Sequence, residues 1–259
     1  MKLISVIGVS QSGKTSVIEK VIRELRRRRY SVGSVKEIHF EAFAMDEVGT
    51  NTYRHAEAGA DLVTARGLTE TDLLFKRRLS LSTILSFYNH DYVILEGSED
   101  IAGPIIVTAN TPSEVDARLD ERVIAISGRI SNDCEKYQGV PVINAMTNAQ
   151  TLADLIEDKA FFALPDFPRE CCGACGLSCR ELAGAILRGE RKRSDCVLST
   201  QGIELYVGEN QIDMVPFVQT ILRNAVEGVV RELDGYQRST PITIRLNPAG
   251  DPKTNQQSD

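Results

Sequence analysis

Apolar residues in the first part of the chain form short runs that alternate with longer amphipathic segments. Residues 3–9, LISVIGV, are rich in β-branched side chains and precede a glycine-bearing loop, a pattern typical of a buried parallel strand. Beyond the loop, apolar side chains recur at helical spacing and predict an amphipathic helix. They are Val17, Ile18, Val21, Ile22 and Leu25. The chain is therefore expected to open with strand, loop and helix.

Further short runs predict more elements of the same two kinds. We expect strands near residues 31–36, 92–95, 105–107, 123–126 and 140–143, and helices over residues 53–60 and 149–160. Strands that alternate with helices build a sheet whose strands are mostly parallel. The pattern thus predicts an α/β domain, with helices flanking a mostly parallel sheet, over about residues 1–160.

The pattern changes at LPDFPRE, where Pro165 and Pro168 predict a domain boundary. Beyond it we expect a hairpin with a turn near residues 209–210, a helix from Pro216 and a last strand at residues 241–246, which together make a smaller α+β unit. The predicted bounds are 1–162 for the first domain, 163–246 for the second and 247–259 for a disordered tail.

Composition and charge limit the class of protein. With 259 residues, 42% of them hydrophobic and 25% charged, the chain has the profile of a soluble globular protein of about 1.7 domains. It has no apolar run long enough for a membrane span, and its first residues lack the features of a signal peptide. A net charge of -6 argues against nucleic-acid binding, despite the basic run Arg26–Arg29. We expect a cytoplasmic protein without membrane or nucleic-acid partners.

The loop after the first strand matches a phosphate-binding motif, the P-loop. Residues 8–15, GVSQSGKT, fit G-x-x-x-x-G-K-[ST] at every fixed position and stand between the predicted strand and helix. Backbone N–H groups of such a loop converge on phosphate oxygens, and the helix dipole adds positive potential. Lys14 is expected to bridge the β and γ phosphates, and Thr15 to bind Mg²⁺. The predicted nucleotide-binding residues here are Gly8, Ser10, Gln11, Ser12, Gly13, Lys14, Thr15 and Ser16.

A site of this kind needs a second acidic group near the metal ion. The apolar run at residues 92–95 ends at Glu96, so this carboxylate is the predicted second Mg²⁺ ligand, and Lys14 and Glu96 are the predicted catalytic residues. A glutamate at a strand end is also often only a solvated charge. Asp46 is a weaker candidate, with a solvated loop residue as the alternative. The guanine-recognition sequence N-K-x-D is absent, so no motif identifies the base.

Together these residues resemble the molybdopterin-guanine dinucleotide biosynthesis protein B (MobB) family over about residues 1–160. The resemblance rests on the P-loop, on VKEIHF with Lys36 and His39, on Asp46, on residues 49–60 and on Leu95-Glu96-Gly97.

The chain departs from the usual strings of the family at three places. Glu37 replaces a histidine, Thr50-Asn51 replace Lys-Asp, and Ser98-Glu99 stand where an aromatic residue and a lysine are usual. These departures predict intact phosphate contacts and altered contacts around a second ligand.

The resemblance implies a P-loop NTPase-like fold and a function in molybdenum or tungsten cofactor maturation. The implied protein binds GTP, hydrolyses it weakly and assists the guanylyltransferase that attaches GMP to molybdopterin. Its implied partners are that enzyme or a molybdopterin cofactor intermediate, a molybdo- or tungsto-enzyme, and a second copy of itself in a homodimer.

Several residues of the nucleotide site are assigned by the resemblance. They are Lys36, His39, Asp46, Arg54 and Gly97. On the residues alone, Arg54 is at least as well explained as a surface residue of a helix. His39 is likewise explained as a hydrogen-bonded structural histidine.

Five of the six cysteines fall within one 26-residue window, and only Cys134 lies elsewhere. In a compartment that keeps thiols reduced, such crowding indicates a metal site. The spacing C-x2-C-x3-C-x16-C supplies three close thiolates and a fourth that returns beyond a helix. The ligands of such a site are Cys172, Cys175, Cys179 and Cys196. The pattern resembles small [4Fe-4S] domains, including those of archaeal members of the family.

The cysteine window is also compatible with zinc. Zinc is the main rival of the iron–sulfur cluster, although structural zinc sites favour two C-x2-C pairs. Unliganded or disulfide-bonded cysteines are a further alternative, and Cys171 can replace Cys172 as a ligand.

Two classes of function follow from these observations. The first is a GTP-binding maturation factor with slow hydrolysis, since neither an arginine finger nor a water-positioning glutamine is identifiable from the sequence. The second is an ATP-dependent iron–sulfur reductase or metallochaperone, in which hydrolysis gates electron delivery. A third possibility is a binding module that holds nucleotide structurally while its second domain anchors a molybdoenzyme.

Overall fold

The structure, a computed structural model, describes most of the chain. The described residues are 1–40, 43–99, 101–166, 172–196, 203, 205–208, 210–212, 214, 216–236 and 242–246. The chain divides into two compact units, Met1–Gln219 and Thr220–Asp259. The P-loop and the described cysteines lie in the first unit, and the domain bounds expected from the sequence stay a prediction.

Strands and helices alternate along the chain, as the hydrophobic pattern predicts. In chain order the elements are β1 (Lys2–Gly8), α1 (Lys14–Arg27), β2 (Val32–Lys36), α2 (Asn51–Glu57), β3 (Leu62–Arg66), β4 (Thr71–Phe75), α3 (Leu81–Ser86), β5 (Tyr92–Glu96), β6 (Ile105–Thr108), α4 (Pro112–Asp116), β7 (Val123–Ser127), β8 (Lys136–Tyr137), β9 (Val140–Pro141), α5 (Ala149–Lys159), α6 (Cys179–Leu187), β10 (Tyr206–Val207), β11 (Asn210–Gln211) and α7 (Pro216–Val230). Short 3₁₀ helices lie at Arg129–Asn132 and Arg193–Asp195. None of the described helices combines the length and the apolar character that a membrane span requires.

The centre of the first unit is a parallel five-stranded sheet in the order β2-β5-β1-β6-β7. Strand β1 lies in the middle, and its Val6 pairs with Glu96 of β5 on one side and Ile106 of β6 on the other. Later strands of the chain therefore lie on both sides of β1, with β5 and β2 on one side and β6 and β7 on the other. In α/β proteins, ligands bind at the carboxyl ends of the strands where the order reverses in this way.

The inner strands of the sheet, β5, β1 and β6, are covered on both faces, because they are apolar at most positions. One face, which includes Ile4 and Val6, packs against apolar residues of α1 and α5. The other face includes Ile7 and Val107, which pack with Val115 of α4. The α/β architecture with flanking helices is therefore confirmed.

Three expectations about secondary structure were wrong or incomplete. The apolar run at 140–143 forms only the two-residue strand β9, since Pro141 lacks an N–H group to continue a ladder, and Val142 makes a single bridge to Ile126. Residues 242–246 have no regular secondary structure, although a strand was expected there. The hairpin of β3 and β4 was not predicted. The expected tail, residues 247–259, lies outside the described residues.

Candidate nucleotide-binding site

The P-loop connects the end of β1 directly to α1, as the motif requires. Gly13 has a φ of 100°, in the left-handed region, immediately before the first residue of α1. At Gly8 a Cβ atom would lie 2.7 Å from the Ser12 hydroxyl, so only glycine fits. Ser12 is fully buried, and its hydroxyl bonds with the carbonyl of Val9 (2.8 Å) and the hydroxyl of Thr108 (2.7 Å). The Ser12 side chain therefore shapes the loop from the inside.

The Lys14 ammonium lies over the loop itself. Its Nζ donates to the carbonyl oxygens of Gly8 (2.9 Å) and Val9 (2.6 Å). Burial lowers the pKa of Lys14; the carboxylate of Glu96 opposes this shift, and the positive charges of Lys36 and Arg118 add to it. A polyanion bound at this place would relieve the repulsion among the three cations.

Glu96 stands beside the loop because β5 is the parallel neighbour of β1. Its Oε1 accepts hydrogen bonds from the Thr15 hydroxyl (3.0 Å) and from Lys36 Nζ (2.9 Å). A hydroxyl and a carboxylate are the oxygen ligands that Mg²⁺ prefers next to nucleotide phosphates. Thr15 and Glu96 therefore fit a magnesium ion by their chemistry and by their position.

A cleft of about 680 Å³ opens over these groups. Its lining consists of Gly8, Ser10, Gln11, Gly13, Lys14, Thr15, Ser16, Lys36, Glu37, His39, Glu96, Gly97 and Glu99. The fold thus brings together most of the residues that the sequence assigned to the nucleotide, including His39 and Gly97. A second cleft of similar size shares Glu37, His39, Gly97 and Glu99 with it and continues along residues 78–81.

Asp46 and Arg54 lie outside the lining of both clefts. One oxygen of Asp46 accepts hydrogen bonds from the hydroxyls of Thr50 (2.8 Å) and Thr52 (2.9 Å), and the bond from Thr50 is the largest cause of a lowered Asp46 pKa. Thr50 in turn caps α2 through the N–H of Tyr53. Arg54 is exposed on that helix. The assignment of both residues to the nucleotide site stays a prediction.

Sequence reasoning missed the residues that support the loop from β6 and β7. Thr108, at the end of β6, bonds with Ser12, and its hydroxyl also donates to the carbonyl of Ile7 (3.1 Å). Gly128, directly after β7, has a φ of 86° and leaves no room for a Cβ atom against Ser12 and Ala109. A glycine immediately after an apolar run was the one available sign of this contact.

The described cysteines of the window gather around the start of α6. Cys172, Cys175, Cys179 and Cys196 belong to one packed cluster with Ala102, Leu164, Leu182 and Ala183. Ser178 caps α6 in a capping box with Glu181, which places Cys179 in the first turn. Cys134 packs elsewhere, beside Ile130.

Cysteine thiolates are ligands both of iron–sulfur clusters and of zinc, so the chemistry of these four cysteines fits an iron–sulfur cluster or a zinc ion. Within the described part of the chain, no three His, Cys, Asp or Glu side chains are arranged to hold a metal ion. Cys171 lies outside the described residues. The ligand set therefore stays a prediction.

Two family models match the chain. Residues 3–128 match the model described as "MobB: Molybdopterin guanine dinucleotide synthesis protein B". Residues 168–198 match the model described as "Putative Fe-S cluster", which covers all four predicted ligands and Cys171.

Similar proteins agree with these matches. A protein of Methanocaldococcus jannaschii named "Putative molybdopterin-guanine dinucleotide biosynthesis adapter protein" is 27% identical over 251 residues, which span 95% of this chain and 98% of that protein. A Bacillus subtilis protein named "Probable molybdopterin-guanine dinucleotide biosynthesis adapter protein" is 26% identical over 148 residues, 55% of this chain and 85% of that one.

The crystal structure of Bacillus subtilis MobB has the same fold. It is 23% identical, has a TM-score of 0.51, and covers 61% of this chain and 97% of its own. Taken together, the similar proteins do not favour the alternative of an ATP-dependent iron–sulfur reductase or metallochaperone.

Proposed function

We propose that this chain is a GTP-binding accessory protein of molybdopterin guanine dinucleotide biosynthesis, with weak GTPase activity, and the match of residues 3–128 to the MobB family model supports this proposal. One observation carries the proposal: Lys14, Thr15 and Glu96 meet at the carboxyl edge of the sheet, with the Thr15 hydroxyl 3.0 Å from the carboxylate. The names of the similar proteins support a role in molybdopterin guanine dinucleotide biosynthesis.

The phosphates of GTP would lie along the P-loop. Its backbone N–H groups and Lys14 would hold the phosphate oxygens, and the lining residues His39 and Gly97 would border the nucleotide. Thr15 and Glu96 would bind Mg²⁺, which neutralises charge on the β and γ phosphates when bound. In this arrangement Lys36 would exchange its bond with Glu96 for a nucleotide oxygen.

The cysteine cluster would hold iron and sulfide. We propose Cys172, Cys175, Cys179 and Cys196 as ligands of a [4Fe-4S] cluster, with Cys171 as the alternative to Cys172. The match of residues 168–198 to an iron–sulfur family model supports iron over zinc.

The proposed partners follow from the proposed pathway. They are a molybdopterin guanylyltransferase or a molybdopterin cofactor intermediate, a molybdo- or tungsto-enzyme, and a second copy of this chain. Large apolar side chains are exposed between β2 and β3, among them Phe40, Met45 and Val48, which are 70%, 77% and 83% exposed. Apolar exposure of this kind supports contact with another protein surface.

Calorimetric titration with GTP and ATP in the presence of Mg²⁺ tests the proposal. We expect tighter binding of GTP than of ATP, and loss of binding in Lys14→Ala because the phosphates lose the half-buried cation of the loop. Arg23→Ala is the matched control, since Arg23 lies on the same helix with a side chain that is 71% exposed. A preference for ATP, or binding by Lys14→Ala equal to that of the unaltered protein, would contradict the proposal.

A further inference from the structure

A third cation, Arg118, stands close to the P-loop without belonging to any sequence motif. It follows α4, which begins four residues after β6, the strand that flanks β1. One guanidinium nitrogen, Nη1, donates to the backbone carbonyl of Glu114 (3.1 Å), so the side chain is anchored on the chain after β6. Arg118 therefore belongs to the chain that follows β6, and β6 flanks β1 on the side opposite β5, the strand that carries Glu96.

The other contacts of Arg118 are weak. Its Nε lies 3.8 Å from Oε1 of Glu99, too far for a hydrogen bond, and this nitrogen is buried without a hydrogen-bond partner. The Arg118 side chain is 24% exposed, whereas that of Glu99 is 61% exposed. A buried donor without an acceptor is costly, so the guanidinium gains from any ligand that supplies an oxygen.

Of this pair, Glu99 lines the nucleotide cleft, and Arg118 lies behind it, outside the lining of both clefts. The Glu99 side chain lines the same cleft as Lys14 and Thr15. The charge of Arg118 also contributes to the lowered pKa of Lys14, which puts the two cations within electrostatic reach of each other. A triphosphate on the P-loop would extend its last phosphate into the space that these cations share.

We propose that Arg118 is the γ-phosphate contact of this site, and that its guanidinium stays in the weak ion pair with Glu99 until a nucleoside triphosphate binds. This inference rests on the proposed function. A guanidinium matches two phosphate oxygens at once and forms stronger bonds with them than with a carboxylate at 3.8 Å. Arg118 would thus let the site distinguish a triphosphate from a diphosphate.

The test compares affinities for GDP and for a non-hydrolysable GTP analogue, both with Mg²⁺, by calorimetry. Arg118→Ala is expected to weaken the analogue about tenfold or more, as for loss of one charged hydrogen bond, and to leave GDP within about twofold. Arg118→Lys should recover part of the loss. Glu99→Gln should tighten the analogue, because it removes the competing carboxylate. Arg66→Ala, an exposed arginine of β3 outside both clefts, should change neither affinity.

Two results would overturn the inference. One is an equal loss of both affinities in Arg118→Ala, which is the mark of a structural or general electrostatic role. The other is no change in either affinity. If Arg118→Ala does not fold, as judged by circular dichroism, Arg118→Lys and Glu99→Gln decide the matter through their opposite effects on the analogue.

Failure of the proposed function gives a different pattern. If the unaltered protein prefers ATP, the proposed function is wrong, and the same comparison with ADP and an ATP analogue still decides the role of Arg118. If it binds no nucleotide, both proposals are wrong.

Discussion

Contacts from Thr108 and Gly128 hold the P-loop in place from the side of β6 and β7. Gly128 has a left-handed backbone, and a Cβ atom there would lie 2.9 Å from the carbonyl oxygen of Ala109 and closer still to that of Ser12. The position of the P-loop backbone thus depends on a residue of another loop.

Gly128→Ala should therefore destabilise the fold and weaken nucleotide binding. Backbone strain and overpacking together predict a loss of roughly 2–5 kcal/mol in the free energy of unfolding. The matched control is Gly139→Ala, which has the same φ of 86° and open space around it, so it should lose only about 1 kcal/mol. Urea denaturation measures the free energy of unfolding of both variants. Equal losses in the two variants would show that contact with the P-loop is unimportant.

For single residues, the sequence was enough to identify those that belong to a motif, but not those whose contacts come from distant parts of the chain. Gly8, Lys14 and Thr15 could be assigned because their spacing along the chain is itself the geometry of the loop. Gly128 and Arg118 could not, because their contacts depend on the order of strands in the sheet.

Among the helices, α1 and α5 are joined by a network of charges as well as by apolar packing. Glu24, buried on α1, accepts hydrogen bonds from Arg27 (2.8 Å) and Arg28 (2.9 Å). Arg28 also reaches Asp154 (2.7 Å) and Glu157 (2.9 Å) of α5. The bonds from Arg27 and Arg28 lower the pKa of Glu24 from 4.5 to about 2.

This lowered pKa predicts how the stability of the protein changes in acid. Because the pKa is lower in the folded than in the unfolded chain, the Glu24 contribution to stability is complete above about pH 4.5 and is lost as the pH falls toward 2. The difference in free energy of unfolding between the unaltered protein and Glu24→Gln should be constant from pH 7 to about 5.5 and shrink below about 4.5. Urea denaturation at each pH measures it.

Glu19→Gln, on the same helix and with a 57% exposed side chain, is the control and should show little difference at any pH. A Glu24→Gln difference that persists unchanged to about pH 3 would contradict the assignment of the charge network to stability.

Elements were predictable where the hydrophobic pattern was long and regular. The apolar stripe of α1 and the runs of β1 and β5 identified those elements, because burial on one or both faces dictates the pattern. The β3–β4 hairpin was missed because its strands are mostly exposed and carry no such pattern. Leu62 and Leu73, for example, are both exposed.

On the scale of the whole first unit, the segment after β5 joins the nucleotide cleft to the cysteine cluster. Gly97 lines the cleft, and Ala102, five residues later, is buried among the cysteines. The buried Arg122 donates to the carbonyls of Glu99 (3.2 Å) and Ile101 (2.5 Å). Arg122 therefore contacts residues of the chain between Gly97 and Ala102.

The cysteine cluster can be tested independently of nucleotide. After anaerobic purification we expect about four irons and four sulfides per chain, as a [4Fe-4S] cluster requires. Cys196→Ser should lose most of both and the visible absorption of the cluster. Cys134→Ser is the control and should keep them, because Cys134 packs in a different part of the core. Bound zinc, or iron retained in Cys196→Ser, would overturn the proposed ligand set.

The most direct measurement of the central claim is the yield of molybdopterin guanine dinucleotide that a molybdopterin guanylyltransferase forms at limiting GTP, with and without this chain. We predict that the unaltered protein raises the yield and that Lys14→Ala, which lacks the proposed phosphate-binding cation, does not, while Arg23→Ala acts like the unaltered protein. A yield that is the same with and without the chain, from a guanylyltransferase that is active alone, would contradict the proposed function.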